Sequence, residues 1–533
     1  MKAIKHKIYG KLLLTGLGAS VVLGACTKNF EKLNTNPYAV TEDAAQGDFK
    51  ILGAPIRQMQ MNIYTVDPTW VAQLQTNLNS DIYSGYMMSP NPFGTNSNNI
   101  TYALHDGWND FIWTTPYTNI MPAFKYIGAR AKGKFDQFYA WAQILRVMAM
   151  HRVSDVFGPI IYTKYGVINP DGSITYDSQK EAYYAFFQDL KEAIDVLTPL
   201  AINPPAVKAF TDADLVYAGN YTQWVKFANS LRLRLAIRIA KVDPQKAQSE
   251  GEAALANPAG LMTTTGDDFN INIAPVLHPL NTFSGVWTDI RMGAPMESYL
   301  TGYSDPRLSK YFKSSSEYKD AFKGIRQGVD LPDKNVYVNF SALAERPSTL
   351  QLLTAAEVWF LKAEAKLRGW NGINESVQEC YEKGIETSFD QNRVASELTR
   401  YKNDAVSKPA PYIDPKNNAN SITAADPHLS TITIKWDEAA TFEIKLERII
   451  TQKWIAIFPD GQEAWTEYRR TGYPKLFPVV LNKSNGTINT ETGIRRINFV
   501  TTERTTNAKG VENAVTLLGG ADNGGTRLWW DKL

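Results

Sequence analysis

Runs of apolar residues at helical spacing, each cut off by Gly, Asn or Pro and followed at once by another run, constrain this 533-residue chain most. In 138–153, Phe138, Trp141, Ala142, Leu145, Met148, Ala149 and Val153 repeat at the spacing of one helix face. Asp155, Gly158 and Pro159 are expected to stop that helix. Asp177 or Ser178 is placed to cap the next one, which runs through Ala182, Phe186, Leu190, Ala193, Ile194 and Leu197 to Pro199. Trp224, Phe227, Ala228, Leu231, Leu235 and Ile239 make a third stripe. Its Arg232, Arg234, Arg238 and Lys241 lie toward the end, where a helix dipole favours cations. Pro244 closes it, and 245–256 begins its mate. Residues 355–367, stopped by Gly369, pair with 376–389, and 442–458 is a last long helix closed by Pro459 and Gly461. The large–small alternation resembles tetratricopeptide units without keeping their strict period. The pattern predicts a mostly α chain: one helical domain built on helix pairs.

Four long irregular stretches interrupt the pairs, at 80–109, 257–301, 324–349 and 401–433, rich in Asn, Pro, Gly and aromatics. Loops of that length in a compact domain are usually functional. No disulfides brace them. The chain has only Cys26 and Cys380, and the start of the sequence commits Cys26 elsewhere.

Lys2, Lys5, Lys7 and Lys11 form a basic segment, and 12–23 is apolar but broken by Thr15, Gly16, Gly18 and Ser20. This is too short to span a bilayer core, which takes roughly 20 apolar residues, and reads as a signal peptide. Leu23-Gly24-Ala25-Cys26 then has the small-residue pattern of a lipobox. The thiol of Cys26 takes a diacylglycerol, cleavage falls before it, and a further acyl chain such as palmitate on the new amino terminus gives stable anchoring. The expected organisation is signal peptide 1–25, tether 26–48 and helical domain 49–533. With Cys26 acylated, Cys380 reads as a buried helical thiol. The formal charge is +2, so losing the leader's four lysines leaves the mature chain two charges negative. That balance offers nothing to a nucleic acid.

Catalytic patterns are missing from the sequence. The histidines His6, His105, His151, His278 and His428 are scattered, and no metal-ligand set, nucleophile elbow or phosphate loop is present, so no cofactor and no metal are expected. His151 reads as a packed imidazole. The acid pairs Asp106 with Asp110 and Glu463 with Glu467 sit four apart on helices, so they read as structural or solvated, with Arg469 and Arg470 as natural partners for the second. Glycosidase carboxylates normally face each other across a cleft, roughly 5–9 Å apart. The aromatics of the irregular stretches are better candidates. Tyr83, Tyr86 and Phe93 in one, with Phe283, Trp287 and Arg291 in another, are expected to line a ligand surface, since flat rings stack on sugars and apolar clefts also take peptides. Two other classes compete: a helical glycoside hydrolase or lyase, and a protein-binding scaffold.

Several landmarks then identify a family. Phe30-Glu31-Lys32-Leu33-Asn34-Thr35-Asn36-Pro37, Ser154-Asp155-Val156-Phe157-Gly158-Pro159-Ile160, the runs 224–235 and 355–365, Asp305-Pro306-Arg307-Leu308, the run 461–474 and Arg527-Leu528-Trp529-Trp530-Asp531 occur in order along the chain. Together they resemble the SusD/RagB family, its SusD-like 2 branch in particular. The resemblance implies a SusD-like fold of tetratricopeptide-like helix pairs and a non-enzymatic lipoprotein on the outer face of the outer membrane. It implies a partnership with a SusC-like TonB-dependent transporter, to which an oligosaccharide or peptide is delivered. Trp465, Tyr468, Arg469 and Arg470 belong to the resemblance and read as structural.

Overall fold

The computed structural model describes residues 49–206 and 209–532. The leader, Cys26 and the 26–48 tether lie outside the described residues. The longer helices are α1 (Lys50–Ile63), α2 (Asp106–Asn119), α3 (Met121–Ala131), α4 (Asp136–Phe157), α5 (Gln179–Ile202), α6 (Tyr221–Arg238) and α7 (Pro244–Leu255). They continue with α8 (Ala294–Gly302), α9 (Ala355–Leu367), α10 (Val377–Gln391), α11 (Phe442–Ala456), α12 (Gly461–Thr471) and α13 (Ala508–Leu518). Consecutive helices α3 to α7 pack side by side, α9 packs on α10 and α11, and α6 against α9 joins the two groups. This is the helix-pair architecture expected from the apolar stripes. Among the described residues no helix is long and apolar enough to cross a membrane.

Caps set the boundaries. Ser178 and Glu181 form a reciprocal box at the start of α5 (3.2 and 2.8 Å), and Ser376 with Glu379 does the same for α10 (3.2 and 2.7 Å). Pro244 opens α7 instead of closing α6: Asp243 accepts the Lys246 N–H (3.3 Å), and a first-turn proline loses no helical bond. Gly461 likewise opens α12, beneath the Asp460 cap. Pro199 does not end α5, which runs to Ile202, because the missing N–H falls in the last turns and Asn203 still donates to the Pro199 carbonyl (3.0 Å). Asp155 does not stop α4 either. Buried in the last turn, it accepts the Tyr183 hydroxyl (2.5 Å) and the Trp530 indole N–H (2.9 Å), so it does not compete for its own backbone.

The basic end of α6 also differs from expectation. Arg234 and Arg238 are fully buried and do not decorate an exposed helix terminus. Arg234 pairs with Glu357 of α9 (2.6 Å) and Arg238 with Glu463 of α12 (2.6 Å). Lys453 of α11 reaches Glu357 (3.2 Å), Glu463 (3.4 Å) and Glu467 (3.2 Å), and Arg470 joins Glu467 (2.7 Å) to Glu364 (2.6 Å). Burial alone would raise Glu463, but Arg238, Arg234 and Lys453 outweigh it and hold the carboxyl well below its usual range. The Glu463 and Glu467 pair is therefore structural, as read, but buried and not solvated. Cys380 is a buried thiol on α10, pushed up to about 11 by burial. His151 is buried on α4 with Nδ1 2.9 Å from the Val147 carbonyl.

Among the described residues, four short strands complete the frame: β1 (Met87–Met88), β2 (Phe269–Asn272), β3 (Arg291–Met292) and β4 (Thr349–Leu353). β1 pairs antiparallel with β3, Met87 opposite Met292, and β2 with β4, Ile271 opposite Leu350. Each pair fastens one long irregular stretch to a distant one.

Candidate functional site

The β1–β3 pair brings together the two aromatic stretches that the sequence keeps about two hundred residues apart. The approach is close: a Cβ on Gly293 would lie 2.3 Å from the Gly85 carbonyl oxygen, so only glycine fits there. Asp289, just before β3, fixes the rest. Its carboxylate accepts Asn91 Nδ2 (3.2 Å), Gln73 Nε2 (3.2 Å) and Lys334 Nζ (2.8 Å), and Lys334 also donates to the Trp287 carbonyl (2.7 Å). The Trp287 turn is thereby tied to the segments carrying Phe93 and Trp70.

Four of the six residues expected to touch ligand are interior. Tyr83 is buried against Trp465 (5.1 Å), its hydroxyl donating to the Asn99 carbonyl (2.9 Å). Tyr86 is fully buried and donates to the Trp454 carbonyl. Phe283 is fully buried beneath Trp287, ring centroids 5.4 Å apart. The Arg291 guanidinium is spent on the carbonyls of Val338 (2.6 Å), Ser284 (3.0 Å) and Ile290 (2.7 Å). These four pin the loops: Tyr86 and Phe283 are fully enclosed, the Arg291 guanidinium is spent on carbonyls, and Tyr83 keeps only an edge at a small pocket lined also by Tyr102 and Trp465. Asn281, near Trp287 in sequence, is likewise bonded both ways to the Arg346 backbone (2.8 Å each).

Phe93 and Trp287 remain half-exposed, and three rings not singled out in the sequence join them. Trp70 is 47% exposed and meets Phe111 edge-on at 5.0 Å. Trp108 stands edge-on to Phe93 at 5.6 Å and lies 5.4 Å from the His105 ring. Trp108 and Phe111 are three apart on α2, so one helix face carries both. The sequence signal is the aromatic pair Trp108 and Phe111, three residues apart. It was hidden because apolar spacing on a helix is read first as core.

Beside His105 opens a groove of about 780 Å³. Its walls are mostly amides and hydroxyls: Ser97, Tyr102, Asn482, Asn485, Asn498 and Asn523 among them. The charged groups there are engaged. Asp522 pairs with Arg496 (2.7 Å) and Arg504 (2.8 Å), and Lys483 donates to the Thr95 carbonyl (3.2 Å). Asp106 accepts from Thr501 (2.6 Å) and Asn498 (3.2 Å), and Asp110 from Thr502 (2.5 Å), so both act as braces for α2. Among the described residues no cluster of metal-ligating side chains forms. The arrangement suits a neutral, hydroxyl-rich molecule with flat apolar faces.

Comparison with known proteins bears on the fold and the family. The SusD-like family model, described as Susd and RagB outer membrane lipoprotein, matches residues 32–531. A chitin-binding SusD homolog from Flavobacterium johnsoniae is 48% identical over 90% of this chain and 98% of its own, with a TM-score of 0.87. A SusD homolog from Bacteroides vulgatus is 39% identical, covering 91% and 99%, with a TM-score of 0.85. One from Bacteroides uniformis is 37% identical, covering 91% and 99%, with a TM-score of 0.81. No curated protein matches the chain. The order of landmarks, the helix-pair fold and these likenesses together establish that the chain belongs to the SusD-like family of SusD and RagB outer membrane lipoproteins.

Proposed function

We propose that this protein is a non-enzymatic cell-surface lipoprotein that captures a neutral oligosaccharide, chitin-derived in the first instance, and passes it to a SusC-like TonB-dependent transporter. The observation that carries the reading is the set of partly exposed rings, Trp108 with Phe93 and Phe111 with Trp70, of which Trp108 packs on His105 at the mouth of an amide-lined groove, with Trp287 partly exposed on the neighbouring loop. A pyranose presents an apolar face of C–H bonds to such rings, while its hydroxyl and acetamido groups exchange hydrogen bonds with asparagine amides. The 48% identical relative described as chitin-binding supports the N-acetylated class over peptides. Binding without hydrolysis is supported by the acid that lines the groove, Asp522, being held by two arginines, Arg496 and Arg504, with no second carboxylate beside it in the groove wall. Cys26 anchors the chain to the outer membrane facing outward, and 27–48 is the leash on which the body swings from its transporter. No nucleic acid and no cofactor take part.

Titration of the purified mature protein against chitin oligosaccharides, other neutral glycans and oligopeptides tests the reading. Saturable binding of chitin oligosaccharides with no new reducing ends is expected. Binding of peptides alone, or of nothing, overturns it. The partnership is tested separately by co-purification with an outer-membrane transporter, and the leash by shortening 27–48, which should impair uptake and leave affinity intact.

A further inference from the structure

Among the described residues, two β-branched side chains sit at left-handed φ, and both are attached to the aromatic rim: Thr95 (φ 54°) and Thr288 (φ 54°). A branched Cβ crowds the backbone in this region, which makes such residues genuine outliers. Thr95 lies two residues after Phe93, in the middle of three successive left-handed residues, Gly94 (58°), Thr95 and Asn96 (59°). L-residues normally visit this region singly. Thr288 directly follows Trp287.

The two turns are held alike. Each threonine hydroxyl donates to the carbonyl of the residue before it (2.7 Å in both), so neither is turned to a ligand. Each turn has a carbonyl taken by a lysine ammonium from a distant segment, Thr95 by Lys483 (3.2 Å) and Trp287 by Lys334 (2.7 Å). The Asn96 amide adds bonds to Asp330 (3.0 Å) and the Leu331 carbonyl (2.9 Å), and Asp289 N–H donates to the Phe283 carbonyl (2.8 Å). Glycine would adopt both turns without strain. Strain that persists only because its surroundings over-determine it gathers where function needs a fixed geometry.

We infer that Thr95 and Thr288 are positioning residues: strained, stiff turns that hold Phe93 and Trp287 ready for a flat sugar face, at some expense of fold stability. This rests on the glycan reading of the rim. A glycine in either place relaxes the turn and frees the ring, so binding has to order that ring again. Asparagine tolerates left-handed φ and stays stiffer than glycine, so it should largely restore the function.

The test uses the mature protein with Thr95→Gly, Thr288→Gly, Thr95→Asn and Thr288→Asn. Ser304→Gly, a left-handed residue (φ 46°) away from the rim, is the control. Chitin hexasaccharide affinity, melting temperature and amide exchange at 93–97 and 286–290 are measured. The glycine variants should melt no lower than wild type, exchange faster at those amides and bind about three- to tenfold more weakly, with the loss appearing in binding entropy. The asparagine variants should bind near wild type, and Ser304→Gly should leave affinity unchanged. Glycine variants with wild-type affinity and protection overturn the inference. If the wild type binds no glycan, the reading of the site fails on its own. Amide exchange still decides about the turns, and unchanged protection in the glycine variants overturns the inference.

Discussion

Between α6, α9, α11 and α12 the charged side chains are buried and pair with one another, whereas at the aromatic rim the lysines also take backbone carbonyls and the rings stay partly exposed. Arg234, Arg238, Lys453 and Arg470 face Glu357, Glu364, Glu463 and Glu467 with side-chain partners at 2.6–3.4 Å. Lys483 clasps the carbonyl of Thr95, and Lys334 holds both the carbonyl of Trp287 and the Asp289 carboxylate. In the first region side chains specify which helices meet. In the second they specify the path of the backbone, so that its aromatic side chains stay free for another molecule. The same residue types thus build a closed interior and an open site according to what they pair with.

The largest effect should come from breaking the closed region. Arg238→Ala leaves Asp155 and Glu463 short of their buried partner and should destabilise the fold by about 3–5 kcal/mol, read by chemical denaturation. The next effect depends on pH. Asp81 is pushed up to about 7, first by burial and then by Asp460, against the bond from Asn77. Its folded pKa lies above its unfolded one, so the stability it contributes is full below about pH 4 and is lost as pH rises toward 7. Asp81→Asn should therefore raise stability at pH 8 by about 2–4 kcal/mol relative to wild type and change little at pH 4. An equal gain at both values would contradict the burial account. A smaller effect is expected from Tyr86→Phe, which deprives the Trp454 carbonyl of its hydroxyl donor and should cost about 1–2 kcal/mol with no change in ligand affinity. A loss of affinity there would return Tyr86 to the site.

The same contrast explains what the sequence made legible. Periodicity reports burial, so the stripes of α4, α5, α6 and α9 are legible in the sequence although the ends of α4 and α5 lie a few residues beyond their expected stops, and several family landmarks fall on those buried parts. It cannot report tertiary partners. Arg234 and Arg238 therefore read as dipole complements, although their acids lie on α9 and α12. Asp155 read as a stop because Tyr183 and Trp530, which engage it, are remote in the chain. At the candidate site, the sequence picks out two stretches that the β1–β3 pair joins, but not which of their rings face outward. Tyr86 and Phe93 lie seven residues apart in one loop with opposite fates, decided by the β1–β3 pairing and the Asp289 hub. Trp70, Trp108 and Phe111 sit on helical segments, where aromatics read as core.

The central claim is that the partly exposed rings bind ligand. It is tested most directly by calorimetric titration of chitin hexasaccharide into wild type, Trp70→Ala and Trp108→Ala, alongside denaturation of the same proteins. Each variant should stay folded, lose about 1–3 kcal/mol of stability for the part of the ring that is buried, and lose at least about tenfold in affinity measured under conditions where it is fully folded. Variants that bind as wild type does, or that lose affinity only through unfolding, would contradict the account.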